Sequence, residues 1–463
     1  MMFPDDTITA ISTPLGEGGI GIVRLSGKDA IETVEKIFIS PKSKSLKNTR
    51  SHKIVFGYIK DPATGEKIDE VLVTVMRSPY TYTKEDVVEI NCHGGMVTLR
   101  RTLETVLKEG ARLAEPGEFT KRAFINGRID LNQAEAVLDL IRSKTDESRR
   151  IALEQLRGGL SEKITALRDR LTEICAFIEA HIDFPEEDIE IAPKEDIMES
   201  LRAIEEELKS LIKSYDEARF FREGLSTAIV GRPNVGKSSL LNALLKRDRA
   251  IVTEFPGTTR DVIEEYLNIN GLPLRIIDTA GIRDVYDIAE KEGVRRSLQS
   301  IDDADLVIAV FDGSESLKED DFEVIDKIKG KNTIIAINKC DLPSAVNRDV
   351  LISQASHALD ILNISATRGD GLEELKDKVF ISFLKDWKEG REGILITNLR
   401  HKVALENALI SLEMALSGLS ENIPIEIIAL ELRDSLDRLG EIVGAATTED
   451  ILDNIFKNFC IGK

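Results

Sequence analysis

Residues 231–238 read GRPNVGKS, with the apolar run TAIV just before them and the helical SLLNALLK around and after their last residue. Strand, glycine-rich turn and helix in that order fit the open end of a parallel α/β sheet, where backbone N–H groups and a helix N-terminus face an anion. Gly236 lets the main chain wrap a phosphate, Lys237 reaches the β- and γ-phosphates, and Ser238 is placed to bind Mg2+. Asn234, Val235 and Ser239 complete the contacting loop. The surrounding block, about 220–382, has the matching texture: STAIVG, LRIIDTAG, ADLVIAVFDG, NTIIAINK and ILNISA alternate with helical segments. That alternation predicts a parallel α/β sheet.

Three further signals fall on the ends of these strands. Asp278, Thr279, Ala280 and Gly281 follow LRII, about 40 residues after Lys237. An Asp there holds the Mg2+ shell, and the Gly281 N–H reports the γ-phosphate. Asn338, Lys339, Cys340 and Asp341 follow IIAI. A carboxylate only accepts, so Asp341 suits the ring N–H and exocyclic amino group of guanine, a pair adenine lacks. Asn338 would tie this loop to the phosphate loop, and Ser365, Ala366 and Thr367 would complete the base pocket. Together the motifs predict GTP. Between the first two lies TEFPGTTRD, residues 253–261, a hydroxyl-rich loop suited to ordering by γ-phosphate and Mg2+. Ras-like enzymes orient the attacking water with a Gln just after D-x-x-G. Here Ile282 stands there, so hydrolysis must draw on another group, with Arg283, Asp284, Asp287, Glu290 and Glu292 as candidates.

The rest of the chain is of two kinds. Residues 1–119 carry short β-rich runs (ITAIST, GIGIVRLSG, KIVFGYIK, EVLVTVM, VVEIN) and one expected helix at 97–109, which predicts an α+β domain. Residues 120–219 and 383–463 carry apolar residues at three- and four-residue spacing, which predicts amphipathic helices. Helical sequence on both sides of the α/β block implies an inserted domain. The acidic run at 183–196 reads as a solvated connection. Lys plus Arg is 62 against 82 for Asp plus Glu, a net charge of −20, which disfavours unaided binding to a phosphate backbone. The start lacks a basic region followed by an apolar one, no stretch of about 18 apolar residues runs unbroken, and the four cysteines form no C-x-x-C pair. A reducing cytoplasm and no membrane are the expectation. Adjacent Cys92 and His93 should point to opposite faces of a strand, as a structural pair.

With those residues in hand, the chain resembles the MnmE (TrmE) family of tRNA-modification GTPases along essentially its whole length. TPLGEGGIGIVRLSG, YTYTKEDVVEINCHGG and EPGEFTKRAFINGRIDLNQAEAV look like the family's folate-binding domain and its junction with the helices, and the closing CIGK like its C-terminus. The resemblance implies a homodimer that, with the flavoprotein MnmG (GidA) in a heterotetramer or larger complex, modifies C5 of the tRNA wobble uridine. The one-carbon unit would come from 5-formyl- or methylene-tetrahydrofolate. By position it implies K+ coordination by Asn234, assisted by oxygens around Thr253, Phe255 and Thr258, within a loop that also includes Glu254, Pro256 and Gly257. Thr259 would supply the second Mg2+-side hydroxyl, and Glu290 would orient the attacking water. For the folate it implies Arg24, Glu89, Arg128 and Lys463. Position 128 is often Lys in the family, so Arg128 keeps the charge and alters the contact geometry. Cys460 matches the family's C-terminal cysteine, with a catalytic thiol and a structural part in the folate site both open.

The fold expected is therefore multidomain: an N-terminal α+β folate-binding and dimerisation domain (1–119), a discontinuous all-α domain (120–219 and 383–463), and an inserted Ras-like P-loop GTPase domain (220–382). The competing reading is a ribosome-assembly or RNA-binding GTPase switch without modifying chemistry. That reading calls for a basic appendage, whereas 383–463 is helical and not strongly basic.

Overall fold

The computed structural model describes residues 6–183, 193–248, 265–277, 301–384 and 393–463. Its N-terminal part runs β1 (Ile8–Ile11), β2 (Gly18–Ser26), α1 (Ala30–Ile37), β3 (Phe38–Ile39), β4 (Lys53–Lys60), β5 (Lys67–Met76), β6 (Val87–Gly94), α2 (Met96–Lys108) and β7 (Arg112–Leu113). The strands form one seven-stranded sheet in the order β3-β4-β5-β6-β2-β1-β7, antiparallel except for the β1–β7 pair. Side chains alternate across a strand. Val23, Leu25, Val71, Val73, Val75, Val88 and Ile90 face a core closed by Ile31, Val34 and Ile37 of α1 and Leu99 and Val106 of α2. Helix α1 departs from the single helix expected. Its apolar residues recur at three-residue spacing, Glu32 sits in its first turn and Lys36 in its last, so pattern and macrodipole both favour it.

The chain continues through α3 (Glu118–Ile125), α4 (Leu131–Arg142), α5 (Asp146–Leu156), α6 (Gly159–Asp183) and α7 (Lys194–Glu223). Asp130 and Gln133 close a capping box at the start of α4, satisfying two donors that the first turn leaves free.

The α/β block comprises β8 (Leu225–Val230), α8 (Lys237–Asp248), β9 (Glu265–Ile269), β10 (Leu272–Ile276), β11 (Leu306–Asp312), α9 (Glu319–Lys327), β12 (Thr333–Asn338), α10 (Arg348–Gln354), β13 (Asp360–Asn363) and α11 (Leu372–Phe383). Its sheet order is β13-β12-β11-β8-β10-β9. Every pair is parallel but the last, where β9 is an antiparallel edge strand, a departure from the all-parallel expectation. The cause is local: Asn270 and Gly271 both take positive φ, 52° and 91°, the two-residue turn that matches strand twist. The sheet is covered on both faces. Ile229, Ile308, Ile334 and Leu241 pack on one, and Val230, Val307, Phe311, Ile335 and Val324 on the other.

The chain ends in α12 (Leu399–Glu421), α13 (Ile425–Val443) and α14 (Glu449–Phe456). Leu167, Leu171 and Ile174 of α6, Leu201, Ile204 and Leu208 of α7, Leu405 and Leu412 of α12, and Leu432 and Leu439 of α13 share one core. One helical domain is thus made from sequence on either side of the α/β block. Helix α12 is long and apolar enough to cross a membrane by length and composition alone, and 44% of its most apolar window is buried, with its core residues packed among those of α6, α7 and α13.

Helix α5 holds both crossings into the inserted domain. Ser148 Oγ donates to the Phe221 carbonyl at 2.6 Å, Gln155 Nε2 donates to Leu395 O and Thr397 Oγ1 at 3.1 Å each, and Ile151 joins the α/β core. Beside it lies a cavity of about 270 Å³ lined by Asp139, Ser148, Gln155, Arg222 and Thr397 among others. After α14 the chain returns to the start: Leu452, Phe456 and Phe459 pack on Ala123, Leu131 and Leu138.

Candidate functional site

The phosphate loop leaves β8 at Gly231, where an added Cβ would meet the Val310 carbonyl at 2.3 Å. Asn234 is left-handed (φ 63°) with an exposed side chain, and Val235 is fully buried in the core. At Gly236 (φ 103°) a Cβ would meet Asn338 Nδ2 at 2.2 Å, so only glycine lets the two loops close this tightly. Lys237 opens α8 and donates to the carbonyls of Gly231 at 2.7 Å and Arg232 at 2.9 Å. Burial, helped by the nearby Arg232, lowers its pKa to about 8. Ser238 and Ser239 follow on the first turn of α8.

The base loop is knitted to this one. Asn338 Nδ2 donates to Val235 O at 2.8 Å, while its Oδ1 accepts the Ala366 N–H at 3.0 Å. Asp341 Oδ1 accepts the Ser365 hydroxyl at 2.7 Å, and that bond is the main reason its carboxyl lies below the usual range. Ser365 Oγ in turn accepts the Arg368 N–H at 3.2 Å and lies 3.1 Å from Thr367 Oγ1. Lys339 is left-handed (φ 66°), and its ammonium lies 2.5 Å from Asp312 Oδ2. The structure therefore brings residues 234–239, Asn338, Lys339, Asp341, Ser365 and Ala366 to one end of the sheet. Thr253, Glu254, Phe255, Pro256, Gly257, Thr258, Thr259, Asp278, Thr279, Ala280, Gly281 and Glu290 lie outside the described residues, as does most of the acidic run at 183–196. Asp312 and Arg232 join this network and were not singled out from sequence; strand register, which sets Asp312 opposite Asn338, leaves no local pattern to find it by.

A second cluster lies on the face of the N-terminal sheet turned away from α1 and α2. Arg24 on β2 and Glu89 on β6 are cross-strand partners, with Arg24 Nε and Nη2 at 2.8 and 2.7 Å from the same oxygen, Glu89 Oε1. Arg24 Nη1 donates to Gly462 O at 3.2 Å, and its guanidinium lies 5.8 Å from the Phe119 ring. Gly462 (φ 94°) lies so close to β1 that a Cβ would meet Ile11 O at 2.5 Å. Burial, then the like charge of Arg24, lowers the Lys463 pKa. Arg128 stacks over the Tyr82 ring at 4.7 Å, and Tyr82 Oη lies 2.9 Å from Thr120 Oγ1. Burial pushes the Tyr82 phenol up, against the pull of Arg128 and Arg24. Cys460 is an exposed free thiol near Lys463. Cys92 is buried, with its pKa pushed up to about 12, whereas the His93 side chain is exposed and 2.7 Å from Asp69, so the two do point to opposite faces.

Two family models match the chain: the GTP-binding protein TrmE N-terminus over residues 7–128 and the MnmE helical domain over residues 131–460. Curated relatives named "tRNA modification GTPase MnmE" align end to end. Those of Alkaliphilus oremlandii and Geobacter sulfurreducens are 49% identical and that of Clostridioides difficile 48%, each covering 100% of both chains. Among solved structures, the G domain of the T. maritima FeoB iron transporter is similar to 34% of this chain and 96% of its own, at 29% identity and a TM-score of 0.25. Two matched domains and near-half identity over the full length establish that the chain belongs to the MnmE (TrmE) family.

Proposed function

We propose that this chain is a potassium-dependent GTPase acting with the flavoprotein MnmG on C5 of the tRNA wobble uridine, giving aminomethyl- or carboxymethylaminomethyl-type products. A tetrahydrofolate derivative bound on the N-terminal sheet is the one-carbon donor. One observation carries the reading: Arg24, Glu89, Arg128 and Lys463, far apart in sequence, gather on one side of a domain that is not the nucleotide domain. A GTPase switch without modifying chemistry has no use for that second site.

In the nucleotide domain, the N–H groups at the start of α8 and the Lys237 ammonium are set to take the phosphates, and Asp341 the guanine edge. The partly buried ammonium, which donates to two main-chain carbonyls among the described residues, suits a phosphate that replaces them. Ser238 is the Mg2+-side hydroxyl in this reading, with Thr259 as the second. Asn234, exposed at the loop apex, offers a neutral amide oxygen of the kind K+ takes. Such an ion supplies positive charge where other GTPases use an arginine. Glu290 orients water. On the N-terminal sheet, Glu89 Oε2 has no hydrogen bond among the described residues, which leaves an acceptor for the donor edge of a pterin. Arg24, Arg128 and Lys463 supply positive charge for the folate's carboxylates, and Cys460 stands beside them as the candidate thiol.

The protein acts as a cytoplasmic homodimer in this reading. Supporting the dimer, Ile54, Phe56 and Leu72 expose apolar surface on the sheet face that carries Arg24 and Glu89. The test is nucleoside mass spectrometry of bulk tRNA from cells lacking the chain, complemented with wild type or with Asp341→Asn. Loss of C5-modified wobble uridine, restored by wild type alone, is the expected result. An unchanged nucleoside profile in the deletion overturns the reading.

A further inference from the structure

Asp312, the last residue of β11, is 5% exposed and lies outside the nucleotide motifs. Its Oδ1 accepts the Ser314 N–H at 2.9 Å and the Ser314 hydroxyl at 2.6 Å. Its Oδ2 accepts from Lys339 Nζ at 2.5 Å and stands 3.9 Å from Arg232 Nη2. The carboxylate is fixed from the backbone as well: register pairs Asp312 with Asn338, and the Gly313 N–H donates to Asn338 O at 2.8 Å. Burial opposes its charge, but Lys339 and Ser314 hold its carboxyl below the usual range.

Arg232 is the second residue of the phosphate loop. Its guanidinium is 10% exposed and set among three carboxylates, 2.7 Å from Glu315, 3.3 Å from Asp321 and 3.9 Å from Asp312. The Arg232 carbonyl receives the Lys237 ammonium. A single buried carboxylate therefore faces a cation of the base loop and a cation of the phosphate loop.

We propose that Asp312 is a positioning residue for guanine-nucleotide binding, fixing the Lys339 side chain and, through Arg232, the base loop against the phosphate loop before nucleotide arrives. Preorganisation of this kind adds affinity without reading the base. Removing it should weaken GDP and GTP while leaving selectivity between bases unchanged. The inference rests on residues 338–341 being the guanine loop, so its test carries a separate control for that assignment.

The experiment measures GDP and xanthosine diphosphate affinities by fluorescence competition on the full chain, for wild type, Asp312→Asn, Lys339→Met, the double variant and Asp341→Asn. Loss of a charge-assisted hydrogen bond should weaken GDP about tenfold in each of the first two variants. Because both remove the contact between Asp312 and Lys339, the loss in the double variant should fall well short of the product of the two single losses. The preference for GDP over xanthosine diphosphate should persist in all three. Asp341→Asn offers one donor and one acceptor, the complement of xanthine, and should invert that preference. GDP binding within about twofold of wild type in Asp312→Asn, or losses that multiply in the double variant, overturns the proposal. If Asp312→Asn fails to melt cooperatively, Lys339→Met decides alone. Its side chain is 33% exposed, and near-wild-type GDP affinity there is equally fatal. An unchanged preference in Asp341→Asn instead removes the guanine-loop assignment, and the proposal with it.

Discussion

A lysine whose partly buried ammonium rests on two main-chain carbonyls is a charge waiting for an anion. Lys237, lowered to about 8 by burial and by Arg232, is half deprotonated near that pH before nucleotide arrives. Phosphate oxygens favour its charged form and raise its pKa, so above pH 8 binding must take up a proton. By linkage, GDP affinity then falls as pH rises through the free protein's pKa, by at most about tenfold per pH unit. Affinity measured from pH 7 to 9 should be flat at first and then decline, and Lys237→Met should remove the difference between the two limbs. A parallel decline in Lys237→Met would assign it to another group. Residues such as Lys237 were legible because the chemistry fixes their spacing to neighbours in sequence. Asp312 was not, because strand register brings it to Asn338 across 26 residues, and no local pattern records a register.

At the scale of elements, helices α4 and α12 are joined by a buried ionic cluster. Glu135 Oε2 is 2.6 Å from Arg400 Nη2 and 2.7 Å from His401 Nε2, and Glu135 Oε1 accepts from Asn398 Nδ2 at 2.9 Å. Burial opposes the charge on Glu135, but His401 and Arg400 overcome it and hold its carboxyl far below the usual range. Burial also pushes the fully buried His401 down, against the pull of Glu135, which makes it a neutral ring donating to the carboxylate. Both shifts have one sign: the folded chain binds fewer protons than the unfolded chain. Stability should therefore fall as pH drops below about 6.5, where an unfolded histidine charges, and fall further below about 4.5, each group contributing at most roughly 1.4 kcal/mol per pH unit. Melting from pH 7 to 4 checks this, and His401→Gln should flatten the upper part of the decline. A melting temperature that holds steady between pH 7 and 5 would contradict the assignment. The helices were legible from their three- and four-residue periodicity. Helix α1 was not, being eight residues set between two strands, and β9 was missed although its turn carries Asn270 and Gly271, because a short apolar run beside a loop has no period to count.

For the whole molecule, the insertion was legible because texture changes twice, and a helical domain cannot close its core without both flanks. The return of the C-terminus to the N-terminal sheet was not readable from spacing, since the contact of Arg24 with Gly462 spans 438 residues. It leaves one sheet face bearing both the charged cluster and an apolar row. Phe56 pairs with Leu72, Leu72 with Asn91, and Asn91 with Ile22, one pleat away from the row that pairs Glu89 with Arg24. Phe56 and Leu72 are 45% and 46% exposed, so replacing them leaves the core on the opposite face intact. A second copy covering that row would shield the charged cluster beside it and strengthen whatever the cluster binds. Phe56→Lys combined with Leu72→Glu replaces the apolar pair with opposite charges that can pair across the strands of one chain but would lose their hydration at such a contact, which opposes association. Sedimentation should then give a dimer for wild type and a monomer for the double variant, with little change in melting temperature measured at low protein concentration. Formyl-tetrahydrofolate should bind the monomer more weakly than the dimer, though neither substitution touches Arg24, Glu89, Arg128 or Lys463. A variant that stays dimeric would move the contact to another face, and a monomer with undiminished folate affinity would separate the charged cluster from the dimer.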